Sequence, residues 1–236
     1  MIRVIHLSNM PIYEQLLLEE RLLRATNQNW CIINTGAPRA IVMGISGKKE
    51  ELVDCERVSQ AGIPLIKRFS GGGTVIVDEE TLFVTLICQQ DLFSFPAYPE
   101  PILRWHEALY QDAFQHPLFH LRENDFVIGE KKCGGNAQYI QKGRWLHHTS
   151  FLWDYSQENM SYLLMPKKTP SYRKARAHSD FLCKLSEYFP SKEELTRELL
   201  SALEKRFVLE SYKLEEVLAT IPVNDRIATS LMKPDF

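Results

Sequence analysis

The chain has no Cys-x-x-Cys pair, and its five cysteines (Cys31, Cys55, Cys88, Cys133, Cys183) are an odd number at irregular spacing. Neither a disulfide framework nor a structural zinc site suits that pattern. Cys31 and Cys88 sit in apolar runs and read as buried thiols. Excess charge of one sign is also missing: 28 Lys and Arg against 30 Asp and Glu leave −2. Nothing in that balance draws a nucleic acid or an anionic membrane as partner. No stretch approaches the ~20 apolar residues of a membrane span. The first residues alternate like a strand, without the basic and then apolar stretches of an export signal. There is no internal repeat and no low-complexity tract. These absences leave a reduced, cytoplasmic protein whose 236 residues suffice for one main core with a small appendage.

What the chain does have is glycine gathered in one place, Lys67-Arg68-Phe69-Ser70-Gly71-Gly72-Gly73-Thr74-Val75-Ile76-Val77. A phosphate-binding P-loop needs Gly-Lys-Ser/Thr opening a helix, and a dinucleotide fingerprint needs a helix after its glycines. Here a β-branched run follows instead. Residues 64–67 and 74–77 read as strands, with a third at 82–88. The expectation is a β-hairpin whose glycine loop offers main chain to a ligand, with the Arg68 cation at its entrance.

Elsewhere, apolar spacing gives an amphipathic helix over 11–24 through Ile12, Leu16, Leu22 and Leu23, with Glu19 and Glu20 between them. Strands follow at 30–34 and 40–43, then a helix over 49–60 ended by Gly62 and a long helix over 99–114. Further strands are expected at 125–128, 137–140 and 145–153, then a basic connector over 166–176. A Ser191-x-x-Glu194 capping box opens a helix reaching about residue 207. Mostly hairpin-joined strands predict an α+β fold, a mixed and largely antiparallel sheet flanked by helices.

Three segments occur in order: Arg68-Phe69-Ser70-Gly71-Gly72-Gly73-Thr74-Val75, then Asn124-Asp125 and Lys132-Cys133-Gly134-Gly135-Asn136-Ala137, then His148-Thr149-Ser150. This combination resembles the lipoate–protein ligase A family, related to the biotin ligases and the octanoyltransferases, over residues 16–185. The resemblance implies a biotin/lipoate ligase catalytic domain over 1–186 and a short helical extension over 187–236. It implies a two-step reaction: lipoate and ATP give lipoyl-AMP and pyrophosphate, and a lysine of a lipoyl domain then takes the lipoyl group.

Both steps build negative charge on oxygens between a carboxyl carbon and a phosphorus, where a fixed ammonium stabilises it, and preorganised electrostatics of this kind are usually the largest catalytic term. The family register selects Lys132 as catalytic, and in an extended segment its neighbour Lys131 points the other way. Arg68 has the fork geometry for phosphate or carboxylate oxygens. By resemblance Ser70, Gly71, Gly72 and Gly73 line the acyl and phosphate path, and Thr74, Val75 and Val77 offer partners to the adenine. Gly135, Asn136 and Ala137 carry the lysine motif, His148 sits near the lipoyl pocket, and Arg173 and Arg176 close over the adenylate. Asp125 falls near the ribose, phosphate and a Mg²⁺ ion, which ATP chemistry implies.

Two departures from the family pattern stand out. Val77-Asp78-Glu79-Glu80-Thr81 replaces a His-Asp-x-Gly-Asn segment, which leaves its His and Asn to be supplied elsewhere, with His147 and His148 as candidates. Beyond Leu185 the chain runs only to residue 236, short of the accessory domain of larger ligases. Adenylation alone, adenylation with a separate accessory subunit, and acyl transfer from a carrier through a thiolate (Cys133 or Cys183) are the alternatives, with a non-catalytic acyl-adenylate binder as a fourth. The partners implied are lipoate or octanoate and the lipoyl domains of 2-oxoacid dehydrogenase E2 subunits or the glycine-cleavage H protein.

Overall fold

The computed structural model describes residues 1–165, 169–174, 176–222 and 226–232. Four residues of the expected basic connector, 166–168 and 175, lie outside that set. The fold is α+β, built on two sheets. The larger has eight strands in the order β11-β1-β2-β6-β10-β9-β8-β7, and the smaller has four in the order β12-β4-β3-β5. In chain order the strands are β1 (Ile2–Ser8), β2 (Trp30–Thr35), β3 (Ala40–Met43), β4 (Leu65–Lys67), β5 (Val75–Val77), β6 (Thr81–Gln89), β7 (Phe119–Arg122), β8 (Asp125–Ile128), β9 (Lys131–Gln141), β10 (Arg144–Leu152), β11 (Leu209–Tyr212) and β12 (Ser230–Met232). The helices are α1 (Ile12–Ala25), α2 (Lys49–Leu52), α3 (Cys55–Gln60), α4 (Pro99–Phe114), α5 (Gln157–Met160), α6 (His178–Phe181), α7 (Lys192–Glu204) and α8 (Leu214–Thr220). From β2 to β7 the large sheet is antiparallel, and β1 pairs in parallel with both β2 and β11.

Strand β6 sets the layers because successive side chains leave opposite faces. Leu82, Val84, Leu86 and Cys88 enter the core beneath α4 and α7. Phe83 and Ile87 enter the opposite face, where α1 packs, and Thr85 donates to Glu19 of that helix. The small sheet lies beyond α1: Val42 of β3 joins Ile12, Leu16 and Phe83, while Ile41 and Met43 face a separate cluster with Val127 and Tyr172.

Four expectations are corrected. The glycine segment is not a hairpin: β4 and β5 do not pair, because β3 lies between them, parallel to β4 and antiparallel to β5. The loop therefore crosses the end of β3. The helix expected over 49–60 is two, since Val53 is extended and bridges Leu163, and Asp54 caps α3 by accepting from Arg57 N. That side-chain acceptor competes with helix continuation. Strand β9 begins at Lys131 rather than 137, because its glycines make room for neighbours instead of a turn. The tail after Leu185, read as helical, also supplies β11 and β12, one to each sheet.

Candidate active site

Between the sheets lies a cavity of about 540 Å³, walled by α1, β5, β8, β9, β10, the glycine loop and the connector. Of the expected site residues, Arg68, Gly72, Gly73, Thr74, Val75, Val77, Asp125, Lys132, Gly135, Asn136, Ala137, His148 and Arg173 line it. Ser70, Gly71 and Arg176 do not.

Lys132 reaches the cavity through a break in register. Gly135 pairs with Asp125 and Gly134 with Phe126, but Val127 pairs with Lys132. Regular pairing would put Cys133 opposite Val127; the extra residue turns Cys133 into the core and Lys132 onto the cavity face. Re-aiming a side chain is a common use of such bulges. Lys132 Nζ then meets Asp125 Oδ1 at 2.7 Å, and Tyr172 Oη donates to Asp125 Oδ2 at 2.8 Å. A Cβ on Gly135 would sit 3.5 Å from that Nζ, and one on Gly134 would press into the Phe151 ring at 2.8 Å. Lys131 is exposed on the other face.

Arg68 is built in differently. Its side chain is nearly sealed, and burial draws its pKa down to about 10. Nη2 donates to the carbonyls of Gly71 (2.7 Å) and Gly73 (2.9 Å), Nε to Ser70 Oγ (3.1 Å) and Gly71 O (3.2 Å), and Nη1 to Val42 O (3.4 Å). Most of the fork is therefore spent on folding the loop rather than left for a ligand. Gly72 alone of the triple has positive φ, +102°, and a Cβ there would lie 2.7 Å from Arg68 Nη2. Gly44, below it, is equally constrained: its Cβ would strike Gly72 O at 2.3 Å.

His148 joins the two sides. Its Nδ1 lies 3.0 Å from Glu19 Oε2 and its Nε2 3.2 Å from Ser70 Oγ. Glu19 is fully buried and its other oxygen accepts from Gln15 Nε2 and Thr85 Oγ1. A carboxylate only accepts, so the His148 Nδ1–H donates to Glu19, and Nε2 meets the Ser70 hydroxyl, whose oxygen also accepts from Arg68 Nε. The order serine, histidine, carboxylate is that of a hydrolase relay, but Ser70 is fully buried behind the loop and faces no substrate space.

Behind β10, Tyr110 Oη donates to Thr149 Oγ1, which donates to Asn136 Oδ1 at 2.8 Å, while Asn136 Nδ2 holds Asn124 O. Asn136 thus fastens β9 to the β7–β8 turn. His147, on the opposite face of β10 from His148, is buried against Thr149 and the His106 ring, and burial pulls its pKa down. Of the two histidines weighed as replacements for the absent family side chain, His148 alone reaches the cavity.

The connector is docked by Glu123, which accepts from Ser171 Oγ and Tyr172 N. It places Arg173 at the cavity, where Nη2 is buried without a partner; burial lowers that guanidinium's pKa. Thr74 Oγ1, also at the cavity, is likewise buried and unpartnered. A guanidinium nitrogen and a hydroxyl without partners, beside an ammonium, suit a polyanionic nucleotide. Arg176 is instead turned onto the carbonyls of Glu130, Tyr172 and Arg173.

No cysteine lines the cavity. Cys133 is sealed, donates to Phe126 O, and burial raises its pKa well above that of a free thiol; Cys183 is buried beside it. Among the described residues no three His, Cys, Asp or Glu side chains converge as a metal site, and both oxygens of Asp125 are taken. A magnesium ion at Asp125 would have to share its oxygens with Lys132 and Tyr172. Asp78, in the segment departing from the family pattern, holds a turn: it accepts from Glu80 N and Asn159 Nδ2.

Sequence reasoning missed Glu19, Gln15 and Tyr172. The first carried a signal: Glu19 and Glu20 occupy apolar-stripe positions of α1 between Leu16 and Leu22, where a charge needs a buried partner.

The family model of the lipoyl protein ligase A/B catalytic domain matches residues 11–207. Among curated proteins, the inactive lipoate–protein ligase 2 of Plasmodium falciparum is 30% identical over 239 residues, covering 75% of this chain and 62% of that protein. Lipoate-protein ligase LplJ of Bacillus subtilis is 30% identical over 132 residues, covering 55% of this chain and 38% of its own length. The chain thus spans less than two thirds of these relatives. Two solved structures share the fold at a TM-score of 0.75, each covering 92% of both chains: a Thermoplasma acidophilum lipoate protein ligase with bound lipoic acid (19% identity) and a lipoate-protein ligase A bound with ATP (20%). With a family match across most of its length, and with the glycine loop and Lys132 facing one cavity, the chain belongs to the lipoyl protein ligase A/B catalytic domain family.

Proposed function

We propose that this protein activates lipoate with ATP as lipoyl-AMP and transfers the lipoyl group to a lysine of a lipoyl domain. One observation carries the reading: the Lys132 ammonium, the Arg173 side chain and the glycine loop line one cavity that also has an apolar wall. Ile12, Leu16, Val42 and Phe83 supply that wall, which suits a thin aliphatic chain and keeps water from a reactive anhydride.

An ammonium has three donors. Asp125 takes one from Lys132, which fixes its direction and leaves the others for the oxygens bridging carboxyl carbon and phosphorus. Charge growing there in both steps meets a preorganised cation. Arg173 Nη2 and Thr74 Oγ1 are the further donors for phosphate oxygens or ribose. In the transfer step the acceptor amine attacks the acyl carbon, the bond to the phosphate oxygen breaks, and AMP leaves toward the same cations. The lipoyl domain docks over this mouth; the Thermoplasma system, described as a bi-partite ligase with its E2 lipoyl domain, supports adding a separate accessory subunit to the possible assembly.

Transfer through an enzyme thiolate has no support, with both candidate thiols in the core. A second reading, binding of the acyl-adenylate without turnover, is favoured by the Plasmodium relative, whose name calls it inactive. Mass spectrometry of a recombinant lipoyl domain incubated with the protein, ATP and lipoate separates the two. The ligase reading expects an ATP-dependent adduct of about 188 Da, the covalent increment of one lipoyl group. Calorimetric binding of lipoate with ATP but no adduct, even with an accessory subunit added, establishes the binder.

A further inference from the structure

Glu20 lies next to Glu19 on α1 and is equally sealed, yet it faces away from the cavity's relay and toward the end of the chain. Its Oε2 accepts from Thr229 N at 3.0 Å and Thr229 Oγ1 at 2.9 Å, and its Oε1 from Ala228 N at 2.9 Å. Arg24, one turn further along the helix, also meets Oε1 at 2.9 Å. One residue beyond this latch β12 begins, pairing antiparallel with β4 in the register Ser230↔Lys67, Leu231↔Ile66, Met232↔Leu65. Lys67 is the residue immediately before Arg68. The segment 228–232 therefore ties α1 to β4 from the outside.

The same two elements are tied from the inside by the row Glu19, His148, Ser70, Arg68, whose ends stand on α1 and just after β4. Two links joining the same pair of elements restrain their spacing together, because neither can lengthen without straining the other. His148 sits in the middle of the inner link with both ring nitrogens bonded, so its tautomer and ring angle depend on that spacing. We propose that Glu20 and Thr229 are positioning residues: the 228–232 strap holds α1 against β4 and so fixes His148 at the acyl end of the cavity. A carboxylate fully buried at a helix flank, with two main-chain N–H groups and a hydroxyl assembled on it, is a costly arrangement that surface fraying of a terminal strand would not need.

The inference rests on the ligase reading only for its kinetic readout, so the experiment has two readouts. Full-length protein, Thr229→Val, Glu20→Gln and the control Arg21→Gln, at an exposed position of the same helix, are compared. Thr229→Val removes one hydroxyl at nearly constant volume; Glu20→Gln keeps the shape but sets an amide N–H₂ against the strap's donors. Imidazole ¹⁵N spectra read the His148 tautomer, and lipoylation kinetics read KM for lipoate and for ATP separately. The expected result is a single Nδ1–H signal in the parent and in Arg21→Gln, and a mixed or broadened signal in both strap variants. KM for lipoate is expected to rise about 5-fold or more in those variants with KM for ATP within about 2-fold, the pattern of a lost positioning contact rather than general loosening. An unchanged His148 signal in both strap variants overturns the proposal, as does an equal rise in both KM values. If the parent lipoylates nothing even with an accessory subunit added while the strap variants still shift the His148 signal, the strap stands and the ligase reading falls.

Discussion

Two cations face the same cavity and are held in opposite ways. Arg68, on the glycine side, spends its donors on the carbonyls of residues 42, 71 and 73 and on Ser70 Oγ. Lys132, on the β9 side, has one ion pair, and its side chain is 23% exposed. A cation enclosed by protein acceptors shapes the wall, and one with donors to spare can meet a substrate. On the proposed ligase reading the two divide labour, Arg68 shaping the wall and Lys132 meeting the substrate.

The sharpest way to break this comparison is to remove each cation and read activity and stability separately. Lys132→Ala is expected to lower lipoyl transfer by about 10²–10³-fold, the usual cost of losing a preorganised donor at a developing oxyanion. Its unfolding midpoint should move little, since Tyr172 still serves Asp125. An active Lys132→Ala protein would take the ammonium out of the chemistry. Arg68→Ala should show the reverse weighting: a stability loss of about 2–4 kcal/mol in urea titration, because several buried carbonyls lose charged donors at once. Activity falls there through the loop. Should Arg68→Ala keep its stability and lose only KM for ATP, Arg68 is a ligand after all and the division of labour fails.

Much of this was legible from the residues. The helix over 99–114 and the strands at 40–43 and 125–128 appear at the expected bounds, because apolar period and boundary residues agree there. The glycine segment was visible as a site element but not as a crossover. Whether β4 and β5 pair with each other or with a strand between them depends on β3, which lies more than twenty residues upstream of the loop, and local pattern carries no such information. Alternation allows only one of Lys131 and Lys132 to face the site and the family register selects Lys132, but the bulge at Cys133 that aims it is a register fact visible only once β8 and β9 are paired. The inward bonds of Arg68 were hidden for a similar reason: a fork next to glycines suits an outside anion and inside carbonyls equally, and the carbonyls of residues 42, 71 and 73 are brought to it only by the fold.

A second contrast lies across β10, whose neighbours His147 and His148 face opposite sides. His148 has a carboxylate and a hydroxyl; His147 stacks on His106 at 3.7 Å in the core. His106 Nδ1 lies 2.8 Å from Ile102 O, its Nε2 has no partner, and burial pulls its pKa from 6.5 to about 3. A histidine whose folded pKa is depressed stabilises the protein above the unfolded value, and that stability is lost as pH falls below it, because the unfolded chain then binds the extra proton. From this group alone the loss should reach about 2 kcal/mol by pH 5. His106→Phe should therefore flatten the acid limb of urea-measured stability between pH 6.5 and 5. Parallel curves for parent and variant would show that His106 is not the acid-sensitive group.

The smallest effect tests the glycine side against itself. Gly71, Gly72 and Gly73 look interchangeable in sequence, yet Gly72 alone has a left-handed φ and a crowded Cβ direction, while a Cβ on Gly71 or Gly73 meets nothing within 4 Å. Alanine at 72 must either push Arg68 Nη2 off its carbonyls or shift the loop away from Ala137, whose Cβ would be 3.4 Å distant. Either movement opens the wall that Lys132 faces, so Gly72→Ala should cost at least 10-fold in activity, a free-energy change of about 1.4 kcal/mol. Alanine at 71 or 73 should stay within about 2-fold, with stability unchanged or raised by a few tenths of a kcal/mol through a stiffer unfolded chain. Equal losses at all three positions would mean that the loop rearranges around its ligand, and that the arrangement Arg68 imposes here is not the one in which the reaction runs.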